Sequence, residues 1–217
     1  MLMRPSSLAI LFLLAGNLSA QPMISISVNG SGDTDAFRGR PLVIEATLLH
    51  PDSMRGGTAA PVVLAGPDGA WAGTISIRIT SEQGGQSWPL HAAAVPPGPL
   101  ALASDAAGGA AWWLTPEETA ALTAGEYELV AVLDTTQSTA ANGWKGEAAS
   151  ETVTVRLRDE PEQLTEPEIS DKYLLSADFE FLRGDAARAD ALVEELLAAQ
   201  PGNIDAWSFK ADLLVDA

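Results

Sequence analysis

The sequence contains no cysteine, and basic side chains and histidines are scarce. The absence of cysteine excludes disulfide bonds, thiolate metal ligands, cysteine nucleophiles and a cysteine-linked lipid anchor. Only 12 of the 217 residues are lysine or arginine, against 29 acids, so the net charge is −17. Nucleic-acid binding needs a basic surface for the phosphates, and this balance argues against it. The acidity serves solubility or attracts a basic partner.

Groups with recognisable catalytic or metal-binding spacing are also scarce. The only histidines, His50 and His91, lie far apart without a local ligand motif, whereas a catalytic zinc site usually takes three protein ligands. No G-x-S-x-G, dinucleotide-binding or phosphate-loop glycine pattern occurs. The oxygen-rich loop Asn29–Asp35 lacks the glycine and closing glutamate of an EF-hand. We therefore predict a protein that is not an enzyme and has no cofactor or metal, with a hydrolase using an unrecognised carboxylate site as an alternative.

Long hydrophobic runs are absent as well. The apolar stretch Leu8–Gly16 has nine residues, whereas a membrane-spanning helix needs about 20. Arg4 precedes this stretch, and the small residues Ser19 and Ala20 follow it, as in a secretory signal peptide. We predict that residues 1–20 are a signal peptide. The mature chain, without a membrane span, would be periplasmic or extracellular.

Between residues 21 and 158 apolar residues recur at every second position, and turn-forming segments separate these rows. This alternation is typical of strands that bury one face. It predicts an all-β sandwich of seven to eight short strands. The clearest rows are Ile24–Val28, Leu42–Leu48, Ile75–Ile79, Tyr127–Leu133 and Val153–Leu157, and weaker ones are Val62–Leu64, Trp88–His91 and Ala110–Leu114.

A short helix is predicted inside this region. Thr115-Pro116-Glu117-Glu118 has the pattern of a capping box, with proline at the first helical position. The helix would run to about Leu122, and a strand would follow from Tyr127. This arrangement resembles the crossover before the sixth strand of immunoglobulin-like and fibronectin-like domains. The resemblance implies that the Tyr127 hydroxyl bonds back to the backbone.

The composition changes at residue 159. Residues 159–169 are rich in acids and contain two prolines, which predicts an extended, solvated linker. From residue 170 to 217 the apolar periodicity becomes helical and predicts three helices. Asp185 and Asn203 are placed to cap the second and third of them.

The helical segment resembles the tetratricopeptide repeat, a helix–turn–helix unit of 34 residues. Tyr173 fits its first aromatic position, Ala177 and Ala189 its small positions, Gly184 its turn and Pro201 its end. Trp207 and Ala211 follow Tyr173 and Ala177 by the same 34 residues. The pattern departs from the repeat at Ser176, Glu180 and Leu196. The resemblance covers about one and a half units and implies a protein-binding role.

Such units are stabilised by stacking, and here the last helix lacks a following partner. This predicts that Trp207, Phe209, Leu213 and Leu214 are partly uncovered unless the β-sandwich, a second copy or another protein packs on them. Trp71, Trp113 and Trp144 are further candidate partner contacts, because a tryptophan that faces outward anchors partners well.

These features together suggest an exported binding or adaptor protein of the cell envelope that acts through protein–protein contacts. A structural or assembly subunit of a larger envelope complex is the main alternative.

Overall fold

The structure is a computed structural model that describes residues 21–53, 59–81 and 87–215, so the predicted signal peptide lies outside the described residues. These residues form a β-rich part, residues 21–158, and a helical part, residues 166–215. The strands are β1 (Met23–Val28), β2 (Thr34–Phe37), β3 (Leu42–Leu49), β4 (Val62–Leu64), β5 (Ile75–Ser81), β6 (His91–Ala92), β7 (Leu100–Leu102), β8 (Ala107–Leu114), β9 (Gly125–Asp134), β10 (Glu147–Ala149) and β11 (Val153–Arg158). The helices are α1 (Pro116–Ala121), α2 (Glu166–Leu182), α3 (Ala186–Ala199) and α4 (Ile204–Val215).

The strands form two main sheets and a small ribbon. The first sheet has the order β1-β3-β8-β6, and all of its pairs are antiparallel. In the second sheet β9 lies between β5 on one side and β10 and β11 on the other, and β2 pairs in parallel with β11. β4 and β7 form a separate two-stranded ribbon. The chain therefore passes from the first sheet to the second between β1 and β2.

Both main sheets contribute to one hydrophobic core. Ile44 and Leu48 of β3 are buried together with Leu129 and Leu133 of β9, and alternate residues of each strand face this core. The predicted chain of mostly β-structure followed by helices is confirmed. The described residues form eleven strands rather than seven to eight, because short segments pair separately. Residues 150–152, for example, separate β10 from β11, and both strands pair with β9.

The helix predicted at Thr115 is present. The Thr115 side chain accepts a hydrogen bond from the Glu118 amide, and the Glu118 carboxylate accepts one from the Thr115 amide. These bonds satisfy donors that a helix start leaves free. After the helix, the Tyr127 hydroxyl donates to the carbonyl of Thr123 over 2.7 Å, as the resemblance implied.

The connection between the two parts differs from the predicted linker. Its first residues are anchored rather than free, because Arg38 pairs with Asp159 at 2.8 Å and the buried Arg40 pairs with Glu160 at 2.7 Å. α2 begins at Glu166, inside the segment expected to be extended. Thr165 donates to the Glu168 carboxylate, so this helix starts with the same T-x-x-E pattern as α1.

The helical part has its own small core. Ala177 of α2, Ala189 and Leu196 of α3 and Ala206 of α4 are fully buried in it. As predicted, Asp185 accepts from the Arg188 amide at the start of α3, and Asn203 accepts from the Ala206 amide at the start of α4. None of the helices in the described residues is long and apolar enough to cross a membrane.

Candidate protein-binding face on the C-terminal helix

α4 carries an exposed apolar stripe, here called the outer face, formed by Ile204, Trp207, Ala211 and Leu214. These positions are spaced three, four and three residues apart, so they lie on one side of the helix. Ile204 is 80% exposed, Trp207 53% and Leu214 73%. Large apolar side chains exposed next to one another mark an interaction surface more than scattered ones do.

Trp207 is held in place although it is exposed. Its indole N–H donates to the carbonyl of Pro201, in the turn before α4, over 3.0 Å. The ring therefore has its polar atom satisfied within the chain and presents an apolar surface. A side chain already fixed in this way loses little conformational freedom when a partner binds.

The opposite side of α4 packs on α3, and this corrects the predicted contact at Leu213. Leu213 is buried and Phe209 partly buried in the core of the helical part. Both residues share the face that also contains Ala206 and that points toward α3. Of the four α4 residues predicted to be partly uncovered, Trp207 and Leu214 are exposed, Phe209 is partly buried and Leu213 is buried.

Acidic side chains border the outer face on one side. Asp205 and Asp212 are exposed, and neither forms a salt bridge with a described residue. On the other side, Lys210 contacts Asp190 and Glu194 of α3, which neutralise its charge. The border of the outer face is therefore net negative.

Trp71 and Trp144 are buried in the β-rich part, at 4% and 7% exposure, so the expectation that they face solvent is wrong. Their glycine-containing loops fold back on the core instead of projecting. The Trp71 amide donates to the Gly98 carbonyl and the Trp144 amide to the Val63 carbonyl. Gly146 lies so close to the Trp144 ring that an added Cβ would be 2.7 Å from it.

Trp113 lies on the side of β8 opposite to Trp112, which packs on the core. Its ring is partly buried and stacks on His91, with 6.2 Å between the ring centroids. His91 also lies 2.7 Å from the Glu118 carboxylate. Burial opposes ionisation of Glu118, but hydrogen bonds from Thr115 and His91 lower its pKa. Trp113 is therefore already covered on one face.

The other polar groups singled out in the sequence have structural partners. His50 is buried, and its two ring nitrogens bond the Ala60 carbonyl and the Asp52 amide. In the loop 29–35, Asn29 accepts from the Val43 amide and Asp33 from the Thr154 amide. Among the described residues no group of three or more His, Asp or Glu side chains is placed to hold a metal.

A cleft of about 490 Å³ lies between the two parts of the chain and is lined by residues of β2, β3 and α2. It contains Asp178 of α2 and Glu45 of β3. Burial, and then the negative charge of Glu45, raise the pKa of Asp178 to about 6. An acid with such a pKa can bind or release a proton near neutral pH.

Two members of these sites were missed in the sequence. Ile204 could have been found, because it lies three residues before Trp207 and continues the stripe toward the N-terminus of α4. Asp178 could not, because its environment depends on how α2 packs against β3, and no local pattern contains that information.

No protein-family model matches the chain, and no curated protein matches it. Among solved structures it is similar to a family 123 glycoside hydrolase from Clostridium perfringens, whose structural analysis concerned glycolipid glycan hydrolysis. The sequences are 11% identical, the TM-score is 0.34, and the match covers 79% of this chain. The match covers about a third of the hydrolase chain, 36%. A likeness this weak supports neither a shared fold nor a shared activity.

Proposed function

We propose that the chain is an exported, non-catalytic binding or adaptor protein of the cell envelope. In this proposal the β-rich part is an immunoglobulin-like sandwich and the helical part is a short tetratricopeptide-type segment. Protein–protein contacts made through them are its function.

The topology of the β-rich part supports the first half of this assignment. The N-terminal segment contributes one strand to each main sheet. β1 pairs antiparallel with β3 in the first sheet, and β2 pairs in parallel with β11 in the second. The bond from Tyr127 to Thr123, after the short helix α1, matches the tyrosine corner of such sandwiches and supports the proposal.

Small buried residues support the assignment of the helical part as a tetratricopeptide-type segment. Ala177 and Ala189 are fully buried where α2 and α3 pack together, and Gly184 makes the turn between them with φ +90. A positive φ strongly favours glycine, because a Cβ is disfavoured there. Both features match the positions that the repeat pattern assigned.

The observation that carries the binding function is the outer face of α4. A single helix face with three exposed large apolar residues costs solubility, and its acidic border does not remove that cost. The presence of this exposed apolar face is explained if a partner protein covers it.

The test is capture from an envelope extract with the mature chain. The wild type should retain a defined protein that a Trp207→Ser/Leu214→Ser variant loses. An Ile169→Ser variant, which changes an exposed apolar residue of α2 instead, should retain it. Equal capture by the wild type and both variants, or capture of nothing, would contradict the proposal.

A permanent assembly subunit would use the same face, and solution behaviour separates the two functions. A subunit that needs its complex should aggregate when purified alone, whereas an adaptor should stay soluble.

The cleft between the two parts favours a carboxylate hydrolase as the second candidate. Asp178, with its raised pKa, and Glu45 are the pair that such an enzyme would use. If the mature chain hydrolyses a polysaccharide and Asp178→Asn abolishes that hydrolysis, the catalytic function replaces the proposed one.

A further inference from the structure

We infer that the outer face of α4 binds an amphipathic helix with basic flanks, supplied by another protein. This inference rests on the proposed binding function and adds the chemistry of the partner.

The internal register of the helical part indicates that the occupant is a helix. Tyr173 and Ala177 of α2 belong to the packed core that α2 forms with α3, and Ala177 is fully buried. Trp207 and Ala211 occupy the equivalent positions of α4, 34 residues later. The outer face of α4 thus corresponds to the face of α2 that α3 covers, and on α4 that place is exposed. A helix packed there would repeat the α2–α3 contact.

The spacing of the outer face suits a helical partner. Ile204, Trp207, Ala211 and Leu214 follow the three-four alternation of a coiled-coil seam. Ala211 lies between larger residues, so a partner backbone can approach α4 closely at its middle. Trp207, fixed by its bond to Pro201, would serve as the anchor.

The charges indicate that the partner is basic and is not a second copy. From residue 159 onward the chain has 15 acidic and 4 basic residues. Asp205 and Asp212 border the outer face without a salt bridge to a described residue, whereas Lys210 is already paired. Two copies would bring these carboxylates together, and like charges across an interface oppose binding. Lysine or arginine beside a partner's apolar stripe would pair with them.

The small size of the face also argues against a dimer through it. α4 has 12 residues, or about 18 Å of helix. Two such helices bury much less than the roughly 800 Å² per partner of a stable interface. A short helical contact strengthened by ion pairs fits a reversible encounter with a different protein.

The test uses two synthetic 18-residue helical peptides and the mature chain. Both peptides carry leucine at heptad positions a and d. One has lysine at the flanking positions and the other glutamate. Fluorescence anisotropy of the labelled peptides should show the lysine peptide binding at least about tenfold more tightly than the glutamate peptide. A tenfold difference in affinity corresponds to about 1.4 kcal/mol, which one or two ion pairs can supply.

Variants of the chain locate the binding. Trp207→Ala and Leu214→Ser should each weaken the lysine peptide at least about tenfold, as loss of an interface anchor does. Asp205→Asn/Asp212→Asn should weaken it severalfold and flatten its dependence on salt. Ile169→Ser and Asp171→Asn, which change an apolar and an acidic residue of α2, are the matched controls and should leave it unchanged.

Three results would overturn the inference. They are equal binding of the two peptides, no binding of either, and a concentration-dependent dimer in sedimentation equilibrium that Leu214→Ser dissolves. If the peptides fail while the envelope extract still yields a protein lost in Trp207→Ser/Leu214→Ser, the basic helix is excluded and the binding function stands.

Discussion

Asp178 has an environment that disfavours the ionised form of its carboxyl group. It lies in the cleft between α2 and β3, where burial and Glu45 raise its pKa from 3.8 to about 6. The other charged groups that line the cleft are Asp35, Arg40, Glu168 and Asp171. Between about pH 4 and pH 6 the folded chain holds this proton more often than the unfolded chain does. Its contribution to the free energy of unfolding is therefore present at low pH and is lost as the pH rises through about 6.

Asp178→Asn should remove this loss. At pH 7.5 we expect the variant to be more stable than the wild type by roughly 1–3 kcal/mol, because each pKa unit corresponds to about 1.4 kcal/mol. Below about pH 4 the two proteins should be equally stable. Urea unfolding at several pH values measures this, with Glu162→Gln, an exposed acid that does not line the cleft, as control. A variant that is less stable at pH 7.5 would show that the charge of Asp178 is needed.

Tyr127 makes a contribution of a different kind. Its hydroxyl bonds the Thr123 carbonyl at 2.7 Å, and its ring packs edge-on against Trp88 with centroids 5.0 Å apart. Tyr127→Phe keeps the ring contact and removes the bond, so unfolding should become easier by about 1 kcal/mol. Thermal unfolding of this variant beside Tyr173→Phe, at the chain's other tyrosine, isolates the bond. An unchanged melting temperature in Tyr127→Phe would show that water replaces the bond without cost.

At the scale of elements, sequence signals worked where one local rule decided the outcome. Alternation located β1, β3, β5, β9 and β11, and caps located α1, α3 and α4. The same capping pattern begins α2 at Thr165, but the acidic, proline-containing composition suggested a linker instead. Proline in the first turn is compatible with a helix, so the local pattern should have outweighed composition.

Packing between elements could not be predicted in the same way. Trp207 and Leu214 are exposed because no described residue packs on that side of α4, and the sequence predicts both to be partly uncovered. The burial of Trp71 and Trp144 follows from how their loops close over the core, which local spacing does not specify. The cleft around Asp178 depends on the docking of α2 against β3, a contact between segments far apart in the chain.

The connection from β11 to α2 contributes one of the contacts between the two parts. Buried Arg40 pairs with Glu160, and Lys172 of α2 reaches the same carboxylate at 3.0 Å. Burial alone would raise the pKa of Glu160, but hydrogen bonds and positive charge from Lys172 and Arg40 lower it overall. The carboxylate thus joins the β2–β3 loop, the connection and the first turns of α2.

Glu160→Gln should destabilise the chain by roughly 1–3 kcal/mol. Removing one partner of a fully buried pair costs about 3–5 kcal/mol, and Glu160 is partly exposed. Asp159→Asn is the matched control at the adjacent residue. Its salt bridge to Arg38 is much more exposed, so its loss should cost less than about 1 kcal/mol. Urea unfolding followed by far-ultraviolet circular dichroism compares them. Equal effects of the two variants would mean that the burial of Arg40 does not matter.

At the scale of the whole molecule, the two hydrophobic cores differ in how far they can stand alone. The core of the β-rich part draws on both main sheets, whereas that of the helical part is small and is formed by three helices. A segment of about 50 residues with so small a core is not normally stable by itself. We therefore expect the helical part to depend on its docking to the β-rich part, and the β-rich part to depend little on the helices.

Because the two cores differ in this way, a cavity made by the same substitution in each core should have different effects on the rest of the chain. Leu196 and Leu129 are both fully buried, one in each core, and Leu→Ala at such sites costs about 2–5 kcal/mol. In hydrogen exchange, Leu196→Ala should lose protection in α2–α4 and keep it in β3, β8 and β9. Leu129→Ala should lose protection in both parts, because the helices lose their support when the β-rich part opens. Loss of protection in β9 caused by Leu196→Ala would instead mean that the two cores unfold as one cooperative unit.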